Sequence, residues 1–322
     1  MKTRIFTALL VAVVTLPWAG AAKEKKDTGP VLPIGWLYLR DGSRDLAVSE
    51  EDMQKTTVHL LQGSVVPVFK TKEKHGTTYG RVAALNLETG MAVLGWVKID
   101  LAELKPVGAY PPDSDLLPLL GEPYLDDVTA KHTDMAKFLV RQAKGSDVLL
   151  SYVLTAQLSM AKLVVYTSNQ GKYYPGAFIN IPITELQNGI TSLEVRDLIG
   201  DGSDCIITKE TFRDLADTYG VNMVVRRIVD GQFQTLWQAP LKYKNLSQYN
   251  AKLQILQPPE KNIGAPGTVT TGVVTYRPIG KGQTPVWNGK VDFFIIDREK
   301  PLYSLTIEKV CPWDGQEFAP IR

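Results

Sequence analysis

The sequence predicts a mainly β chain, in which a small barrel of short strands is followed by a larger antiparallel β domain. Three observations carry that expectation. Between residues 33 and 107 the short runs "GWLYLR", "TTVHLLQGSVVPVFK", "TTYGRVAAL" and "AVLGWVKID" are separated by Gly, Asp and Asn turn residues. Residues 108–123, "GAYPPDSDLLPLLGEP", hold no period of 2 or 3.6 and concentrate proline and glycine, which marks a linker. From 124 to 322 the chain compares with itself, as repeating units of strand, turn and buried strand.

Residues 1–22 predict a secretory signal peptide. Lys2 and Arg4 precede the apolar run "IFTALLVAVVTL", and "AGAA" supplies small residues for cleavage near Ala21 or Ala22. A membrane helix needs about 20 apolar residues, and Pro17 interrupts this run before that length. No cysteine follows the run, so a lipid anchor is not expected. The reading is therefore an exported, soluble chain, periplasmic or extracellular and not membrane-spanning, with 23–32 as a solvated lead-in. Loss of Lys2 and Arg4 with the signal peptide takes the formal net charge of +2 to about zero, which steers neither nucleic acid nor an anionic membrane.

In the first domain, Ser49, Glu51 and Asp52 suit the start of a brief helix in "VSEEDMQK". Gly63 permits a sharp turn into a strand, Val65 and either Val68 or Phe69 point inward, and Gly95 lets backbone pass beneath Trp96. The order "LQGSVVPVF", "YGRVAAL", "GWVKIDLAELKPV" resembles the bacterial SH3-like family over residues 33–107. The resemblance implies a small barrel that binds cell-wall peptides or a protein neighbour and does no chemistry itself. Trp96 reads as core, whereas Trp36, Tyr38 and Tyr79 are the candidates for a surface groove. His75, in "KTKEKHG", reads as a solvated residue at a hairpin tip.

In the second domain "AKFLVRQA" and "VLLSYVLTAQL" are long enough for helices, yet "KGSD" between them and the Val, Tyr and Thr content favour a hairpin. Asn169-Gln170-Gly171 reads as the next turn. The self-comparison aligns "SLEVRDLIGDGSDCIITKE" and "VNMVVRRIVDGQFQTLW" with "PVWNGKVDFFIIDRE" and "YSLTIEKVCPWDGQEFAPI", with turns at Gly202 or Gly289 and again at Gly231 or Gly315. These units resemble blades of FG-GAP, integrin-type propellers, which implies an incomplete propeller-like domain. The segments "KYKNLSQYNAKLQILQPPEKNIGAPG" and "TKETFRDLADTYG" are expected to cover its open edges.

The same resemblance raises calcium at Asp197, Asp201 and Asp204. Two donor positions hold Ile199 and Cys205 instead of oxygen ligands, and calcium wants about six to eight oxygens. The expectation is a structural turn with Gly200 and Gly202 left-handed, the aspartates holding backbone N–H groups, and no cofactor. His59, His75 and His132 stand in no catalytic spacing, and phosphate loops and dinucleotide fingerprints are missing. Cys205 and Cys311 leave a disulfide open. The leading function is a non-enzymatic cell-envelope binding or scaffold protein that engages cell wall or an envelope protein. One alternative is a glycan or small-ligand binder using Trp237, Trp287 and Trp313, and another is an envelope hydrolase targeted by its SH3-like part.

Overall fold

Eighteen strands occur among the described residues, which are 32–47, 56–120, 133–155, 160–183, 189–214, 218–245, 266–295 and 300–321 of the computed structural model. They begin with β1 (Gly35–Tyr38), β2 (Arg44–Ala47), β3 (Thr56–Leu60), β4 (Ser64–Lys74), β5 (Thr77–Asn86), β6 (Met91–Lys98) and β7 (Leu104–Lys105). One helical turn, α1 (Asp113–Leu116), comes before β8 (Thr133–Val140), β9 (Val148–Thr155), β10 (Met160–Asn169) and β11 (Lys172–Pro182). The chain continues through β12 (Ile190–Arg196), β13 (Cys205–Asp214), β14 (Thr218–Val229) and β15 (Gln232–Asn245). It ends with β16 (Pro266–Ile279), β17 (Gly282–Ile295) and β18 (Tyr303–Val310). The expected signal peptide, the brief helix at 48–55, His132 and the proline-bearing stretch 246–265 lie outside the described residues.

The mainly β class stands, as two antiparallel sheets. The first has the order β11-β10-β9-β8-β4-β5-β6-β2-β3, with β1 added to β4 and β7. The second runs β12 to β18 in chain order. Neither sheet closes, which corrects the small barrel expected over 33–107. The reason lies in β4, whose 11 residues pair with β5 from Val68 onward and with β8 at Ser64 and Val65. The sheet therefore continues from one half of the chain into the other.

The main core lies between the sheets, where Leu150, Leu163, Val165 and Ile181 of the first meet Leu193, Val195, Ile206 and Ile228 of the second. Side chains alternate across a strand. Accordingly Val164 and Tyr166 fall on the opposite face of β10, in a layer with Leu116, Leu120, Met135 and Leu149. Burial on both faces explains why "LVVY", residues 163–166, is a continuous apolar run. A separate cluster, including Leu37, Leu46, Val68, Val82 and Val97, supports β1 to β6.

The second sheet bends between β15 and β16, whose ladder is confined to Lys242–Asn245 against Thr268–Thr271. Trp287 fills the gap where these strands part, and its Nε1 donates to the Pro240 carbonyl at 2.8 Å. Gly272 is required there, because a Cβ would come within 2.3 Å of both the Pro240 oxygen and Trp287 Nε1. Past the bend, Gln283 N–H donates to the Leu198 carbonyl at 2.7 Å. Inside the curl lie Cys205, Ile207, Trp237, Trp287, Cys311 and Phe318.

The hairpins read from sequence are present. β8 and β9 pair as strands, Gln170-Gly171 turns β10 into β11, and Asp230-Gly231 turns β14 into β15. The repeat alignment needs correction. Asn288-Gly289 lies within β17, and the turn falls at Gly280-Lys281. Gly289 is small because the Trp287 ring lies over it, where a Cβ would approach to 1.9 Å. Gly315 follows β18 in the final tail rather than joining two strands. The described residues of "TKETFRDLADTYG" form a hairpin rather than an edge cover, since Phe212–Asp214 pair with Thr218–Gly220 in the β13–β14 ladder.

Candidate functional site

A concavity arises where β5 and β8 part from the same edge of β4. The hydrogen bond from Leu139 N–H to the Gly63 carbonyl, 3.0 Å, fixes the phase of the β4–β8 ladder. In that phase the next residue of β4 to face β8 beyond Val65 is Pro67. Proline has no N–H to donate, so the ladder stops. From Val68 onward the edge belongs to β5, and β8 diverges.

The parting leaves two lengths of backbone edge without a ladder among the described residues. Ile99 N–H donates to the Thr78 carbonyl, so Thr78, Gly80, Val82 and Ala84 direct their backbone groups to β6. By alternation Ala83 and Leu85 direct theirs away from β6, toward the cleft, and Met135 on β8 does the same from the other side. The cleft holds about 140 Å³ and is lined by Pro67, Ala83, Ala84, Leu85, Ala92 and Met135, with His59, Asp113, Asp134 and Lys137 as its ionisable groups. That volume is close to the ~150 Å³ of an apolar cavity that accepts one benzene, so it suits one side chain of a longer ligand. A second groove continues from it past His59, Leu61 and Leu87 to Thr191, Ser192 and Lys209.

One end of the cleft is closed by an ion pair. The Lys137 ammonium, whose side chain is 4% exposed, lies 2.7 Å from Asp113 Oδ1, donates to the Pro111 carbonyl at 2.9 Å, and sits 4.2 Å from the Trp36 ring centre. Trp36 in turn meets Tyr110 edge-on at 6.3 Å. Burial pulls the Lys137 pKa down, and Asp113 partly restores it. Burial, then the charge of Asp113, raises the pKa of Asp134. Tyr110 is pushed up to about 12, chiefly by burial. A buried ammonium held by a carboxylate, a carbonyl and an aromatic face anchors structure.

The structure scatters the residues proposed from sequence. Trp36, Trp237 and Trp287 are 2%, 4% and 2% exposed, which corrects their assignment to binding surfaces. Their large apolar rings complete cores, Trp36 beneath Lys137 and the other two inside the curl of the second sheet. Tyr38, Tyr79 and Trp313 are half-buried. Trp313 lies against Phe318 at 5.1 Å, with the Arg227 guanidinium 5.7 Å from its ring centre. Trp96 is core, as expected. His59 is exposed and contacts Asp45 of the neighbouring strand at 2.6 Å.

The aspartates of the 197–204 loop act on their own backbone. Asp197 accepts from Gly200 N–H at 2.6 Å and Gly202 N–H at 2.9 Å, and Asp201 accepts from Ser203 N–H at 2.9 Å. Gly200 and Gly202 have φ of +84° and +91°, the left-handed values expected. Asp204 is engaged by Arg141. Among the described residues no group of three or more His, Cys, Asp or Glu side chains gathers around a metal-sized space. Cys205 and Cys311 are free, buried thiols, and burial pushes Cys205 up to about 12. Among the described residues no helix is long and apolar enough to cross a membrane.

Sequence reasoning missed the cleft residues. The available signal was Pro67 inside "SVVPVF", since proline in a strand marks an edge or an interruption of pairing. No protein-family model, curated protein or solved structure matches the chain.

Proposed function

We propose that this chain is a non-enzymatic binding or scaffold protein of the cell envelope, and that it recognises an extended polypeptide segment in the β5–β8 cleft. The carrying observation is the parting of two strands at Pro67, which leaves the backbone groups of Ala83, Leu85 and Met135 lining a small apolar cleft. An added strand satisfies such groups through main-chain hydrogen bonds, and a small pocket then selects one side chain. In this reading residues 33–107 are an SH3-like module opened along β4, the propeller-blade likeness belongs to the hairpins from β12 to β15, and the leader directs export. The ligand is a peptide of the cell wall or a segment of an envelope protein.

The test uses purified full-length chain with isolated cell-wall material and with envelope extract from the same cells. The wild type is expected to be retained by one of these. Ala83→Trp fills the cleft from a half-buried position and should reduce retention at least tenfold while leaving the melting temperature within about 2 °C. Equal retention of the variant, or no retention of the wild type by either material, would overturn the proposal.

A further inference from the structure

The outer edge of β18 is another stretch of backbone with no ladder among the described residues. β18 pairs with β17 from Phe293↔Tyr303 to Val286↔Val310, and among the described residues its other edge has no strand beside it. Cys311 N–H donates to the Pro285 carbonyl at 3.0 Å, in register with that ladder. This bond fixes the phase: Tyr303, Leu305, Ile307 and Lys309 direct their backbone groups to β17, and Ser304, Thr306, Glu308 and Val310 direct theirs outward. Of the devices that block an edge, the strand carries charges at Glu308 and Lys309 but no proline and no bulge, and Leu305 is 50% exposed.

We infer that two copies of this chain associate through β18 edges in antiparallel, two-fold pairing with Ile307 on the axis. A two-fold axis normal to the sheet matches residues of equal parity, so few registers are open. With Ile307 opposite itself, Ser304 meets Val310 and Thr306 meets Glu308, and all four outward residues find partners. Shifting the axis to Glu308 places like carboxylates face to face and sets Ser304 opposite Pro312, which has no N–H. Shifting it to Thr306 sets Val310 opposite Leu302, whose N–H already donates to the Phe293 carbonyl at 2.6 Å. The favoured register also places Leu305 against the stem of Lys309 and joins the two Ile307 side chains, with no like charges opposed.

Measuring solution mass by light scattering, the wild type is expected at twice the chain mass. Thr306→Pro removes only an outward N–H, so it should give a folded monomer with an unchanged far-ultraviolet spectrum. Ile307→Cys should form an intermolecular disulfide on mild oxidation, because a non-hydrogen-bonded cross-strand pair brings Cα atoms to about 4.5 Å. Glu308→Cys, opposite Thr306, should not. The native thiols Cys205 and Cys311 are buried and do not compete. A monomeric wild type, a Thr306→Pro protein that stays dimeric, or equal cross-linking of Glu308→Cys and Ile307→Cys would overturn the inference.

Discussion

Arg141 and Asp204 hold each other by both backbone and side chain. Arg141 N–H donates to Asp204 Oδ2 at 2.8 Å, Asp204 N–H returns a bond to the Arg141 carbonyl at 2.9 Å, and the guanidinium adds a contact to Oδ1 at 2.6 Å. Arg141 follows β8 in the first sheet and Asp204 precedes β13 in the second, so the pair closes one end of the central core. Next to it Gln142 accepts from Gly231 N–H at 2.9 Å, which ties the β14–β15 turn to the same point.

Asp204→Ala is therefore expected to destabilise the chain by about 2–4 kcal/mol. The carboxylate is 3% exposed and its loss strands several donors, although the 36% exposure of the Arg141 side chain tempers the cost. Urea unfolding measures this. A loss under about 1 kcal/mol would show that the sheets are joined elsewhere.

A second pair lies within the central core. Arg226 donates to both carboxylate oxygens of Glu210, one at 2.9 Å, while Thr208 donates to the same carboxylate. Glu210 and Arg226 side chains are only 9% and 10% exposed. Removing one partner leaves a buried charge and is expected to cost about 3–5 kcal/mol, whereas removing both together can be nearly neutral. Glu210→Leu combined with Arg226→Met should thus unfold at higher urea than either single variant. If the double variant is the least stable of the three, the pair contributes more than its own desolvation.

The hairpins were legible in the sequence because their signals are local: a Gly at the turn and apolar residues on either side. Arg141 with Asp204, and Ser64 with Phe138, were not, because they join residues about 60 or 70 positions apart through the register of whole strands. The tryptophans misled for a related reason. A Trp in a strand reads the same whether its face meets solvent or a second sheet, and only the bend at β15 and β16 decides that Trp287 is enclosed. Gly289 misled similarly, since an Asn-Gly pair signals a turn unless a neighbouring ring requires the missing Cβ.

Three tyrosines give the chain a distinct alkaline limit. Burial pushes Tyr110, Tyr152 and Tyr276 from 10.0 up to about 12. The native state thus holds these protons more tightly than the unfolded chain does. Their contribution to stability is complete below pH 10 and is lost as pH rises through about 12. Phenolate absorbance of the native protein should show at least three late-titrating groups, accompanied by a falling melting temperature over that range. Tyrosines that all ionise together near pH 10 would contradict the burial of these three.

The acidic loop from Asp197 to Asp204 makes the last prediction. Its carboxylates already accept from Gly200, Gly202 and Ser203 N–H groups, so a cation would have to displace bonds that define the turn. Millimolar calcium should therefore shift the melting temperature by less than about 1 °C, since a ligand stabilises only as far as its free concentration exceeds its Kd. Gly200→Ala should act far more strongly. Its φ of +84° disfavours any side chain, and a Cβ would come within 2.5 Å of the Lys281 backbone across the curl of the second sheet. A loss of about 2 kcal/mol or more is expected, as for a residue forced into a left-handed site with a clash. A saturable calcium shift of several degrees, abolished by Asp201→Ala, would instead make the loop a metal site and its glycines part of the coordination geometry.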